Sequence, residues 1–276
     1  GLLIALFASP ALAGDVTLQS VDGTVTFTGS YGITAIKANE LVWEGDTKVS
    51  QLKWKSSYVS TFSGGVTVEL PHDFYLIGRG SIGLGGNGYM ADYDWLVDGK
   101  PWSDRSQHPD TRLNHYYTAS LELGRDVYSI DGTDLGVGLG FKYTDVKWTA
   151  WGGSYVYSDQ GFRDARGKFD PDEKGISYRQ SLPVPFVGAN LKHVAGDWTF
   201  AGSLQGGLAV DAYDIDDHWV RNLRFYDYFD TTPTVSLSGS VDYAVWNNAS
   251  VYLAGAFDHM FRVRGDTKMV DTETGN

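Results

Sequence analysis

Val235-Ser236-Leu237-Ser238-Gly239-Ser240-Val241-Asp242-Tyr243-Ala244-Val245 sets Val235, Leu237, Gly239, Val241, Tyr243 and Val245 on one face of an extended chain, and Ser236, Ser238, Ser240, Asp242 and Ala244 on the other. Period-two alternation is the signature of a strand with two unlike faces. In a soluble sandwich the polar face meets water. In an outer-membrane barrel the apolar face meets lipid and the small polar face fills the lumen. One strand does not choose between them.

The choice comes from repetition. Tyr117, Ala119, Leu121 and Leu123 alternate with Thr118, Ser120 and Glu122; Leu135, Val137, Leu139 and Phe141 with Gly136, Gly138, Gly140 and Lys142; Phe200, Leu204 and Leu208 with Ser203 and Gln205. Very short turns at Pro71-His72-Asp73, Asp131-Gly132-Thr133, Ala195-Gly196-Asp197 and Asn247-Asn248 alternate with longer polar stretches at 96–111, 152–176 and 215–234. Short turns at one end and long loops at the other is the asymmetry of a transmembrane barrel. The expected fold is therefore all-β, an antiparallel transmembrane β-barrel. Nine strands are expected, at 16–43, 48–70, 74–95, 111–128, 134–151, 176–194, 198–214, 222–246 and 249–263. A bacterial barrel closes on an even number, so ten are expected in all, the tenth beyond a loop-like tail at 271–276.

Composition agrees. Glycine (34 residues) outnumbers proline (8) and aromatics make up 14%, which suits tight turns and aromatic belts. The net charge of −12 argues against nucleic acid and favours cationic partners. With no cysteine there is neither a disulfide framework nor a thiolate-bound zinc. No metal or other cofactor is expected. The first thirteen residues, an apolar run ending Ala11-Leu12-Ala13, read as the remnant of a signal peptide cleaved before Gly14, which leaves 14–276 as the barrel.

Two acidic clusters stand out. Asp92 and Asp94 are boxed by aromatics in Gly88-Tyr89-Met90-Ala91-Asp92-Tyr93-Asp94-Trp95, and Asp214-Ile215-Asp216-Asp217-His218-Trp219 places a histidine two residues after an acid, a spacing that lets a carboxylate orient an imidazole as a base. Each cluster alone could be a solvated surface. Other motifs carry less. Gly83-x-Gly85-x-x-Gly88 lacks the helix that a dinucleotide fingerprint needs. Asn248-Ala249-Ser250 and Arg264-Gly265-Asp266 are short enough to arise by chance, and metalloprotease, α/β-hydrolase and pepsin-type motifs are absent.

Met90-Ala91-Asp92-Tyr93-Asp94-Trp95, Trp102-Ser103-Asp104-Arg105-Ser106-Gln107-His108-Pro109-Asp110-Thr111, Trp151-Gly152-Gly153-Ser154-Tyr155-Val156-Tyr157, Gly161-Phe162-Arg163-Asp164 and Asp214-x-Asp216-Asp217-His218 resemble, in order, the omptin family of outer-membrane proteases. Glu40-Leu41-Val42-Trp43 and Lys48-Val49-Ser50-Gln51-Leu52 resemble its first strands. The resemblance spans about residues 20 to 265. It implies a ten-stranded barrel in a Gram-negative outer membrane with a groove at its outer rim, and an aspartic-type endopeptidase cutting peptides or proteins after basic residues, arginine foremost. Asp92 and Asp94 match the family's acid pair, and Asp216 with His218 its dyad, with a water held between them. Glu40 and Asp214 match the pocket for the residue before the scissile bond; Met90, Ile176 and the acid Asp104 match positions beyond it. Ser106 and His108 invite a serine-protease reading, but no third member or oxyanion loop accompanies them. Family members commonly need lipopolysaccharide, held by an outward cluster of tyrosine, acid and arginines. The matching positions hold Phe141, Tyr143, Asp145 and Ser181, so dependence is expected to be weak, or the site to use Lys142, Lys147 or Arg179. The alternatives are a pore or adhesin that kept the fold without the chemistry, and a soluble lectin-like sandwich.

Parity raises one conflict. Alternation from Ile82 and Leu84 would aim Asp92 and Asp94 at lipid, and Leu208 and Val210 would do the same for Asp214, Asp216 and His218. A bulge in 83–88 and another near 211–213 would turn each set inward.

Overall fold

The structure is a computed structural model and describes residues 16–246 and 249–275. Residues 1–13, expected to be a signal-peptide remnant, and the turn expected at Asn247-Asn248 lie outside the described residues. One antiparallel sheet holds sixteen strands. In chain order they are β1 (Val16–Gln19), β2 (Val25–Glu44), β3 (Thr47–Glu69), β4 (Phe74–Leu84), β5 (Asn87–Asp94), β6 (Asp104–Ile130), β7 (Thr133–Trp151), β8 (Ser154–Tyr157), β9 (Ala165–Lys168), β10 (Lys174–Ala195), β11 (Trp198–Ala209), β12 (Tyr213–His218), β13 (Leu223–Phe229), β14 (Thr232–Trp246), β15 (Ala249–Met260) and β16 (Gly265–Asp271). The segments β4/β5, β11/β12, β14/β13 and β15/β16 are lower and upper parts of single legs, which with β2, β3, β6, β7 and β10 makes nine long legs; β1 is a short tenth strand, antiparallel to β2.

The sheet curls on itself. Lys142 of β7 ion-pairs with Asp258 of β15, four places away in the sheet order, and the Trp148 indole N–H of β7 donates to Ser56 Oγ of β3 at 2.9 Å. Small and polar side chains from both sides, among them Ser63, Ser81, Thr118, Gln205 and Ser238, line a lumen of about 790 Å³. Outside runs a belt of exposed apolar residues that includes Phe62, Ile82, Leu121, Leu139, Val187, Leu204, Leu237 and Leu253. Aromatic pairs close it below (Trp198 and Tyr243, 4.6 Å) and above (Tyr31 and Phe62, 5.2 Å; Tyr117 and Tyr143, 6.3 Å). At ~3.3 Å per residue and a tilt near 40°, the stretch from Trp198 to Leu208 rises about 25 Å, the height of a bilayer's apolar band.

The bulges needed to turn the acids inward are present. Leu84 is 55% exposed and Asp92 is 9% exposed; between them Gly85 and Gly86 have φ of +67° and +91°, which a side chain would strain. Leu208 is 48% exposed and Asp216 is 1%, with Asp211 at φ +49° between them. Similar breaks fall at Tyr58 (φ +57°), between Thr34 and Ile36, between Leu113 and His115, and in the links 230–231 and 261–264. These breaks form a collar above the apolar belt, and the ladder between β7 and β10 crosses its level without a register shift.

Several boundaries differ from expectation. The expected first strand, 16–43, is instead two antiparallel strands, β1 and β2, joined by a turn at 20–24, where Asp22 accepts from the Thr24 N–H and Ser20 Oγ. The fourth begins at Asp104, not 111, and 215–234 is two strand segments rather than a loop, with only a 3-10 turn at Trp219–Arg221. Above the membrane both faces of a strand are polar or aromatic, so the alternation that marks the belt is lost. The stretch 152–176 contains the β8/β9 hairpin, and the ninth leg continues through Asp271 paired with β13.

Candidate active site

Directly opposed residues of an antiparallel pair share a face. On one wall, above the collar, Glu40 of β2 lies opposite Leu52 of β3, Leu52 opposite Asp92 of β5, and Asp92 opposite Ser106 of β6. One row higher, Ser50, Asp94 and Asp104 are aligned; one row lower, Ala38, Trp54, Met90 and His108. Ser50 Oγ donates to Asp92 Oδ1 at 3.2 Å.

The other wall repeats the arrangement. Gln180, Asp214, Asp227 and Thr267 are aligned across β10, β12, β13 and β16, with Tyr178, Asp216, Phe225 and Met269 above them and Ile176, His218 and Leu223 above those. His218 Nε2–H lies 2.8 Å from Asp216 Oδ2, and the imidazole meets Phe225 edge-on at 5.2 Å. Its Nδ1 accepts from the Arg221 guanidinium on the 3-10 turn, which Trp219 anchors by donating to Ser177 Oγ. Beneath the groove, Trp54 stacks on Tyr178 (5.6 Å, 11°) and Trp148 (6.1 Å, 25°), so the walls are joined by an aromatic plate. The Tyr178 hydroxyl donates to Asp214 Oδ2 at 2.7 Å. The lining of the lumen below the plate contains none of these acids.

Known proteins match both the sequence and the fold of this chain. Residues 21–276 fit the model of the omptin family. The chain belongs to the omptin family. Protease 7 of Escherichia coli O157:H7 is 30% identical over 273 residues, covering 96% of this chain and 86% of that protein. The outer membrane protease OmpP of Escherichia coli K12 is 32% identical over 251 residues, covering 87% and 78%. A crystal structure of the outer membrane protease OmpT from Escherichia coli superposes with a TM-score of 0.85 at 27% identity, covering 94% of this chain and 91% of that one. This omptin is an outer-membrane protease of the Gram-negative type, and the exposed belt is its lipid-facing surface.

Burial dominates the groove's electrostatics. It lifts Asp92 from the ordinary 3.8 to about 7, with Asp94 adding to the rise, and it raises Asp94 and Asp216 as well, the latter against the pull of His218. Glu40 is held well above its ordinary value by burial and then by Asp216 and Asp214; Asp214 by burial and then by Asp227. Glu40 Oε2, Asp214 Oδ1 and Asp216 Oδ1 are buried without a hydrogen-bond partner. Folding therefore favours the protonated acids. The stability this supplies is present below the ordinary carboxylate range and lost as pH rises through the folded-state values, a window of 3.8 to about 7 for Asp92. The unfolding temperature of the empty omptin is expected to fall across that window, as followed by heat-modifiable gel migration, and less steeply in Asp92→Asn. A flat or rising profile in the wild type would contradict the burial of these acids.

All nine residues singled out from the sequence face this groove or its rim. Asp104 is already engaged, accepting from the Ser158 N–H at 3.0 Å. Ser106 and His108 are hydrogen-bonded at 3.0 Å, but the ring stacks on Phe169 and its Nδ1 has no partner, so no carboxylate completes a triad. Sequence reasoning missed Arg221, Tyr178 and Asp227. Asp227 was concealed in the aromatic run Phe225-Tyr226-Asp227-Tyr228-Phe229. Of the cations named for the outward cluster, Arg179 makes a two-pronged ion pair with Asp145 (2.8 to 3.2 Å), joined by Ser181, Tyr143 and His115, whereas Lys142 is turned into the lumen. The register shift between Leu113 and His115 aims His115 at this cluster.

Proposed function

We propose that this omptin is an aspartic-type endopeptidase that cuts exposed peptides after basic residues, arginine before lysine, with its groove on the exterior side of the membrane. The observation that carries the reading is that Asp92 with Asp94 on one wall faces Asp216 with His218 on the other, close enough for each pair to act on the other's charge. A water between Asp92 and His218 would attack the peptide carbonyl. Its proton passes to the imidazole or to Asp92 and is returned to the leaving amine, while Asp216 fixes the ring and stabilises the imidazolium. Arg221 occupies His218 Nδ1, so this nitrogen becomes available only when Arg221 swings off, and Asp94, whose carboxyl already feels its charge, is the partner at hand. Glu40 and Asp214 offer buried, unpartnered oxygens to the side chain before the scissile bond, with Met90 and Ile176 as apolar lining beyond it. The aromatic plate across the barrel speaks against a pore.

Because Asp92 acts as a carboxylate, activity should rise as pH climbs through about 7, opposite to the stability trend. The test is a fluorogenic peptide library incubated with refolded protein in detergent, with and without lipopolysaccharide. Cleavage after Arg above Lys is expected, with weak dependence on lipopolysaccharide because Asp145 already neutralises Arg179. Cleavage only after acidic or apolar residues would overturn the specificity, and no cleavage would overturn the mechanism.

A further inference from the structure

The row Gln180, Asp214, Asp227, Thr267 runs along the inner face of four adjacent strands, one level below the catalytic dyad. Asp227 lies directly opposite Asp214, is 9% exposed, and accepts a hydrogen bond from the Thr267 hydroxyl. Its neighbours on β13 confirm which way it points: Phe225, two residues before it on the same face, meets His218, and Tyr228, the next residue, is 57% exposed on the opposite face. The cation nearest in sequence, Arg224, is turned to Asp217 on the outer side. Asp227 thus places a third buried carboxyl beside Glu40 and Asp214. Two carboxyls set side by side away from water need either a shared proton or a cation between them.

We propose that Asp227 is a specificity-determining residue of the pocket that receives the side chain before the scissile bond, and that its carboxylate, with those of Glu40 and Asp214, selects arginine over lysine. This rests on the reading that the pocket takes a basic side chain. A guanidinium presents five N–H donors in one plane and can serve three carboxylates spread along a wall, whereas an ammonium has three donors about a single point. Asp214 Oδ1 and Glu40 Oε2 are the acceptors left open, and Thr267 and the Tyr178 hydroxyl hold Asp227 and Asp214 in place.

The experiment compares wild type with Asp227→Asn and Asp227→Ser on matched peptides carrying Arg, Lys or neutral citrulline before the cut. Asn keeps the shape and the Thr267 contact, and Ser guards against a folding defect in Asn; heat-modifiable migration identifies the folded variants. The expected result is a rise in KM for Arg peptides of about 10-fold with kcat little changed, a smaller loss for Lys, and hence an Arg-to-Lys preference that shrinks ~3-fold or more, while citrulline peptides are cut no worse. An unchanged Arg-to-Lys ratio and KM in a folded variant would overturn the role of Asp227. If the wild type itself does not cut after Arg, the pocket reading fails instead, and the two failures are distinct.

Discussion

Asp92→Asn and His218→Ala are each expected to lower kcat by ~10² or more, with kcat/KM falling in proportion, because each removes a proton acceptor that works only when the water attacks. The geometry separates this loss from unfolding. Asp92 is held by a single 3.2 Å bond from Ser50, which an amide oxygen accepts equally, and the Asn variant no longer carries the burial penalty of a carboxylate lifted to about 7. Asp92→Asn should therefore be inactive yet at least as heat-resistant as wild type at neutral pH. His218→Ala removes the hydrogen bond that Asp216 accepts from the ring and leaves Arg221 without its nitrogen partner, so its stability should change more, though the barrel, fastened by Trp54, Trp148 and Tyr178, keeps its fold. Turnover within a few-fold of wild type in either variant would remove the proposed mechanism.

The second large effect concerns recognition. Glu40→Gln or Asp214→Asn should lower kcat/KM for arginine substrates by ~10-fold or more, about the 1.4 kcal/mol that one lost charge-assisted contact supplies. The loss should appear mainly in KM, since neither carboxyl touches the water. Both substitutions neutralise acids that burial and neighbouring acids hold well above their ordinary range, so the barrel should not be weakened at neutral pH. Peptide kinetics and unfolding temperatures measured on the same preparations check the pair of claims. Indifference to both substitutions would dissolve the pocket while leaving the water-activating set in place.

The legs of the barrel were legible because lipid enforces alternation: Leu121, Leu139, Leu204 and Leu237 mark the outer face of their strands as plainly in sequence as in space. The two bulges were legible for a less direct reason. The belt residues Ile82 and Leu208 and the inward acids Asp92 and Asp216 could not share a parity, so something between them had to give, and in the first case the glycines of 83–88 offered the place. What sequence could not show is whatever depends on side chains meeting across strands distant in the chain. Asp227 is seen as a pocket residue only once the register sets it beside Asp214. Arg221 finds His218 only because a single 3-10 turn, ended by Asn222 in a left-handed conformation, folds it back. The Arg179–Asp145 pair needs β7 and β10 in register. Residues 104–110 read as a loop because above the membrane no lipid imposes a pattern on either face.

The collar of bulges separates two tasks that one continuous strand would force into a single alphabet. Below it, each leg must write apolar outward and small inward; above it the same leg writes acids and aromatics inward, in a frame shifted by one. A substitution that tunes lipid anchorage at Leu84 or Leu208 therefore carries no orientation constraint into Asp92 or Asp216, and the reverse holds as well. The uninterrupted β7 and β10 keep the two frames aligned as a fixed spine. The groove can diverge in substrate preference as a replaceable head on a conserved foot, and the collar, rather than the membrane surface, is the place to cut when grafting one omptin's rim onto another's base.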